Sequence, residues 1–156
     1  MKQAKLTTDY RKTTVAVAER KKESGVASAA IELEDGTIIT SRASSLLGSS
    51  ASLILNATKY LAGIPHTAKL IPEALIAPIQ KTKVEYLHGR NPRLHADEVL
   101  VALSLLSNTD ENCRNALAQL PKLNGCQMHS TVMLNDVDQK IFKRLGVGLT
   151  CDPIKK

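Results

Sequence analysis

Three short segments and one isolated amide in this 156-residue chain have side-chain types and spacings that can do chemistry. The first segment is Ser41-Arg42-Ala43-Ser44-Ser45 followed by Gly48-Ser49-Ser50. Small residues just ahead of a helical stretch admit close backbone approach, so Ser44, Ser45, Ser49 and Ser50 can cradle a phosphate or carboxylate at a helix N-terminus. The plain alternative is a capped turn. The second segment is Arg90-Asn91-Pro92-Arg93-Leu94-His95-Ala96-Asp97-Glu98. Asp97 and Glu98 fall in the first turn of the next helix, where the dipole alone accounts for two carboxylates. Arg90, Arg93 and His95 lie just outside it, and an arginine pair there suits bidentate capture of an anion or, equally, an ion pair to another domain or subunit. The third is Gly125-Cys126-Gln127-Met128-His129-Ser130-Thr131. On a strand, residues three apart face opposite sides, which disfavours a Cys126/His129 nucleophile pair and leaves buried thiols with a hydrogen-bonded histidine as the default. Asn56 falls near an apolar helical stripe, where a buried amide must either fix a neighbouring loop or touch a ligand. A zinc site drawn from Cys126, His129, Cys151 and His95 would have the spacing of no metal knuckle, so neither a metal nor another cofactor is expected.

The chain that must position these groups is long enough for one domain, burying roughly 70% of its unfolded surface. Its 43% hydrophobic and 23% charged residues are those of a globular protein. With only Tyr10, Tyr60, Tyr86 and Phe142 as aromatics, the core must be aliphatic and there is little on which bases could stack. The net charge of +6 is concentrated at the ends, in Lys2, Lys5, Arg11, Lys12, Arg20, Lys21 and Lys22 and again in Lys155 and Lys156. A solvated basic first helix explains that distribution better than a phosphate-binding face, so nucleic acid is an unfavoured partner. Three widely spaced cysteines without a Cys-x-x-Cys pair favour reduced thiols, and no apolar run reaches the length of a membrane span. A cytoplasmic, membrane-free protein is the expectation.

Residues 1–25 read as a basic N-terminal helix, Thr8 to Glu23, and residues 26–156 as a single α/β domain. Alternation over Val26 to Arg42, broken by Asp35-Gly36, predicts a hairpin with a type I′ turn. A helix follows from Ala51 to Ala62, stopped by Gly63. Thr67 to Ile71 reads as a short extended piece, and Pro72 opens a helix kinked or restarted at Pro78. Asp97 to Ser107 is apolar on nearly every face and is expected to be buried on most sides. Thr109 caps a further helix that ends before Pro121. Finally Gln127 to Leu134, a helix capped at Asn135 or Asp136 with Val137, Ile141, Phe142 and Leu145 inward, and Val147 to Cys151 form a parallel crossover. The sum is a layered α/β/α domain with a mixed five-stranded sheet, antiparallel only at the hairpin.

The strings DGTIITSRASSLLGSSASLILNATKYLAGI, NPRLHADEVLVALSLL and LPKLNGCQMHSTVMLNDVDQKIFKRLGVGLTCDP resemble the C-terminal part of the bacterial family grouped as domain of unknown function 1846, from about Ala30 to Pro153. The resemblance implies a homodimer and, in longer members, a nucleotide-binding-like α/β domain ahead of this region. The order of elements is more distantly similar to the cytidine-deaminase-like fold. Ala43-Ser44-Ser45-Leu46 and Ile71-Pro72-Glu73-Ala74 stand where that fold's zinc ligands would be, so its chemistry does not follow.

Two functional readings result. One is an oligomerising domain that binds a small anion or nucleotide-like ligand through Arg90, Arg93, Ser44, Ser45, Ser49, Ser50 and Asn56, together with a separate N-terminal domain. The other is a self-contained enzyme on a small anionic metabolite, with His95 or His129 as acid/base and Arg93 as anion clamp. The first requires an open anion site at the helix mouths, the second a chamber in which the histidines meet.

Overall fold

In the computed structural model, residues 28–89, 92–131, 134 and 136–151 are described. The expected helix over Thr8 to Glu23, both Arg90 and Asn91, and the Asn135 cap lie outside them. Strand β1 (Ser28–Glu32) pairs antiparallel with β2 (Ile38–Arg42), as the alternation requires. The connection is not a two-residue type I′ turn. Leu33 N–H donates to the Thr37 carbonyl at 2.8 Å, Gly36 N–H returns to the Leu33 carbonyl at 2.9 Å, and Gly36 alone takes a positive φ of 89°. The result is the three-residue loop in which a glycine forms a bulge. Asp35 stays out of the left-handed region because its carboxylate accepts the Thr37 N–H at 2.9 Å, which also lowers its pKa.

Helix α1 (Ser49–Ala62) begins two residues before the apolar periodicity does, so Ser49 and Ser50 stand inside its first turn and Gly48 is the N-cap. It ends at Gly63, in the left-handed conformation, with the Gly63 and Ile64 N–H groups closing on Tyr60 and Lys59 carbonyls. Thr67 to Ile71 pairs with no strand. Two prolines bracket this stretch, Pro65 accepting from the Ala68 N–H and Pro72 capping α2 (Glu73–Lys81), so it runs as a turn and not a ladder. The element order behind the likeness to the cytidine-deaminase-like fold thereby loses a strand. Helix α2 passes through Pro78 unbroken and widens into a π-helical turn over Thr82–Tyr86. Helix α3 (Ala96–Leu106) is followed by α4 (Glu111–Leu117), whose cap is Asp110 and not Thr109: its carboxylate accepts the N–H groups of Asn112 and Cys113. A 3₁₀ turn (Leu120–Leu123), strand β3 (Gln127–Ser130), helix α5 (Asp136–Leu145) and strand β4 (Gly148–Cys151) complete the order.

Among the described residues the sheet has four strands, in the order β2-β1-β3-β4. The β3-α5-β4 crossover is parallel as expected, but β1 and β3 also pair antiparallel, so the hairpin is not the sole antiparallel element. Alternation sends Ala29, Ile31, Ile39, Met128 and Leu149 to one face, where Leu53, Ile54 and Ala57 of α1 and Phe142 of α5 close the core. A second cluster behind α1 joins Leu55, Ile76, Leu94, Val99, Leu103 and Ala116 from α1 to α4. The described helices therefore stack in two tiers on one face of the sheet and not on both. The apolarity of α3 is likewise only half used: Val99 and Leu103 are fully buried, whereas Val101 is 60% and Leu105 70% exposed.

Candidate functional site at the ends of three helices

The C-terminal end of β3, the N-terminal end of β1 and the start of α1 meet in a knot of buried polar residues. Ser28, Ser41, Ser49, Ser50, Ser130, Thr131 and Asp138 are all at least nine-tenths buried. Such a cluster persists only where its donors and acceptors find each other. Thr131 and Ser28 exchange two hydrogen bonds, Ser28 N–H to Thr131 Oγ1 and Thr131 N–H to the Ser28 carbonyl, both 2.9 Å. Ser41 Oγ donates to the Ser49 carbonyl at 2.7 Å, tying the end of β2 to the start of α1.

Asp138 is the centre of this knot. Its Oδ2 accepts from Ser50 Oγ at 2.7 Å and its Oδ1 from Ala96 N at 3.1 Å, so one carboxylate spans the N-termini of α1 and α3 from the first turn of α5. Open α/β sheets place ligands at the carboxyl ends of their strands, and helix N-termini favour anions. Here the protein's own carboxylate holds that position. Val137, expected inward, is 49% exposed, and Asp138 takes the inner face. The signal was in the sequence: Asp138 is four residues before Phe142, and residues four apart share a helix face.

The serine turn and the Arg93–His95 segment do come together, through a bridge between Leu47 and Leu94. Leu94 N–H donates to the Leu46 carbonyl at 2.9 Å and Gly48 N–H to the Leu94 carbonyl at 3.1 Å. Arg93 Nε donates to the Ser44 carbonyl, and the Arg93 carbonyl accepts from Lys83 Nζ at 2.5 Å. Ser44 Oγ accepts the Leu46 and Leu47 N–H groups at 3.1 Å each, and Gln80 Nε2 donates to the Ser45 carbonyl at 2.9 Å. Ser44, Ser45 and Arg93 are exposed, while Ser49 and Ser50 lie beneath them. Asn56 donates from Nδ2 to the Thr40 carbonyl at 3.0 Å, which fixes α1 to β2.

His95 is the N-cap of α3 in a reciprocal capping box with Glu98, whose Oε1 accepts the His95 N–H at 2.7 Å. Lys83 Nζ meets the same oxygen at 2.8 Å. His95, Asp97 and Glu98 have ligand atoms within 4.8 Å of one another, but Glu98 is already neutralised by Lys83, which a cation would have to displace. His129 lies on the sheet face away from the helices, its Nδ1 2.6 Å from Thr150 Oγ1. Cys126 points the other way, into the core, and its burial raises the thiol pKa. Cys126 and His129 are thus no pair, and His95 and His129 do not converge.

Sequence reasoning also passed over Lys59, a buried residue of α1. Its Nζ donates to the carbonyls of His66 at 2.9 Å and Ala68 at 3.0 Å, and burial lowers its pKa. Its position three residues after Asn56 and four after Leu55 was the available signal.

Among the described residues this geometry defines an α/β domain with a mixed four-stranded sheet, its helix mouths sealed by an internal carboxylate. The chain belongs to the family described as Domain of unknown function DUF1846, C-terminal, whose model matches residues 9–156. A UPF0371 protein of Corynebacterium aurimucosum is 46% identical over 154 residues, which cover 99% of this chain and 31% of that protein. One from Corynebacterium efficiens is 49% identical over 91% of this chain and 29% of its own length. A third, from Streptococcus sanguinis, is 40% identical over 92% of this chain and 29% of its own. The chain therefore spans about a third of the length of the curated relatives it matches. Among the described residues no helix is long and apolar enough to cross a membrane.

Proposed function

We propose that this domain is a binding and assembly module of a longer cytoplasmic protein, working with a separate N-terminal domain and not as a self-contained enzyme. One observation carries the reading: the two acid/base candidates belong to different surroundings, His95 at the cap of α3 and His129 on the sheet face away from the helices, bonded to Thr150. The helix mouths that would hold a substrate anion are meanwhile filled by Asp138. A small anionic or nucleotide-like ligand would meet the exposed rim, Ser44, Ser45 and Arg93, with Arg90 three residues before Arg93 in the chain. Ser49 and Ser50, which lie beneath that rim, would support it indirectly. Three free thiols fit a reducing compartment.

The assembly partner in this reading is a second copy. Val101 and Leu105 form an exposed apolar stripe on α3, with Asp97 one turn before it and exposed Arg114 bonded to the Ser107 carbonyl just after it. Two α3 helices packed antiparallel about a two-fold axis would set each acidic end beside the other's basic end. Light scattering at high micromolar concentration should give a dimer for the full chain and a monomer for the Val101→Asp/Leu105→Asp variant. In the same preparations, Arg93→Ala should weaken binding of ATP or inorganic phosphate by about 1.5 to 3 kcal/mol, the range for hydrogen bonds to charged groups. A monomeric wild type would refute the assembly half, and anion binding indifferent to Arg93 the ligand half.

A further inference from the structure

A groove of about 340 Å³ runs between α1, the serine turn, the 66–71 segment and α2. Leu46, Leu47, Leu55, Leu70 and Ile76 give it an aliphatic wall, α1 contributes Ser52, Asn56 and Lys59 as polar groups, and the exposed Lys69–Glu73 ion pair, 3.5 Å apart, stands at its rim. Lys59 is 9% exposed and faces the cost of burying an ammonium away from water. Buried cations are ordinarily paired with a carboxylate, but the described partners of Lys59 are two carbonyls, of His66 and Ala68. An ammonium has three N–H donors, so these two bonds leave one for which the described residues supply no acceptor. Asn56 likewise spends one amide N–H on Thr40 and keeps a second.

We propose that this groove is a binding site for a small monocarboxylate with an aliphatic body. The carboxylate takes the remaining Lys59 donor and the charge that the buried ammonium otherwise lacks, with Asn56 beside it. The hydrocarbon lies against Leu46, Leu47, Leu55, Leu70 and Ile76. An inorganic anion would fill the charge but leave the apolar wall wet; an alcohol of the same length would do the reverse. The site uses none of the side chains of the Ser44–Arg93 rim, so it stands or falls apart from the anion site proposed there.

The test is binding of sodium hexanoate to the full 156-residue chain, followed by thermal shift and by saturation-transfer NMR, with acetate, phosphate and hexan-1-ol at equal concentrations. Hexanoate should bind saturably and at least tenfold more tightly than each of the three controls. Lys59→Met should weaken it at least tenfold, and Lys140→Ala, which removes an exposed cation of α5 outside the groove lining, should leave it unchanged. If Lys59→Met does not fold, Ser52→Leu serves instead: Ser52 is half-buried on the groove wall, and a larger side chain there narrows the groove while leaving Lys59 and its carbonyl partners in place. Loss of hexanoate binding in that variant supports the site. No saturable binding of hexanoate to the wild type overturns the proposal, as does hexanoate bound no better than hexan-1-ol, or retained by Lys59→Met or Ser52→Leu.

Discussion

Replacing Asp138 by alanine should be among the costliest single changes in the domain. The carboxylate is 2% exposed and holds a serine hydroxyl at 2.7 Å and a helix N-terminal N–H at 3.1 Å. Hydrogen bonds to a charged group contribute about 1.5 to 3 kcal/mol each, and a buried donor left unpaired costs about 1 to 3 kcal/mol. The two sums describe the same loss from opposite sides, so they are not added; about 3 to 5 kcal/mol is the consistent range. For a chain of this size each kcal/mol moves the melting temperature by roughly 2 to 4 °C, so a fall of about 10 °C is expected in calorimetry. Asp138→Asn should cost only about 1 to 2 kcal/mol, because its amide oxygen can still accept from Ala96 while the Ser50 hydroxyl rotates to accept from the amide. The alanine variant also empties an anion position between two helix ends. Phosphate should therefore raise its melting temperature more than it raises that of the wild type. An Asp138→Ala protein within about 1 kcal/mol of wild type in urea denaturation, with no phosphate effect, would refute the claim that this carboxylate seals the helix mouths.

Two further outcomes follow from local geometry. The Cys113 thiol is fully buried, and burial first, then the nearby Asp110 carboxylate, push its pKa from 9.0 up to about 11. Iodoacetamide at pH 8 should modify half-exposed Cys151 well before Cys113, as peptide mapping would show. Because its folded pKa is raised, the Cys113 contribution to stability is complete below pH 9 and is lost as pH climbs toward 11; Cys113→Ser should flatten that alkaline decline in urea titrations. At the end of α5, Gly146 has φ +83°, and an added Cβ would stand 2.8 Å from the Asn124 side chain. Gly146→Ala should cost about 1 to 2 kcal/mol in the same assay, the penalty of the left-handed conformation, and Asn124→Ala should relieve the steric part of the loss.

What the sequence determined by itself is local. Alternation in Val26 to Arg42 is enough for a hairpin because period-two apolarity has no helical reading, and Gly63 and Gly146 end their helices because a left-handed residue is cheapest without a Cβ. The strand-helix-strand spacing of the last third leaves a parallel crossover as the simple closure, and the serine turn and the Arg93–His95 segment are legible as a pair of helix starts. Tertiary structure decided the rest. Thr67 to Ile71 has the composition of an extended piece, yet between Pro65 and Pro72 it runs as a turn and joins none of the described strands. The apolar run of α3 could not reveal that Val101 and Leu105 would face outward, since exposure depends on how many neighbours arrive on that side. Asp138 and Lys59 look like ordinary solvated charges in a one-dimensional pattern. They became the buried anion of the helix mouths and the buried cation of the groove because contacts 88 and 42 residues apart join Asp138 to Ser50 and Ala96, and a returning loop folds over Lys59. Burial of a charge is a property of the assembled fold, and no residue's neighbours in sequence specify it.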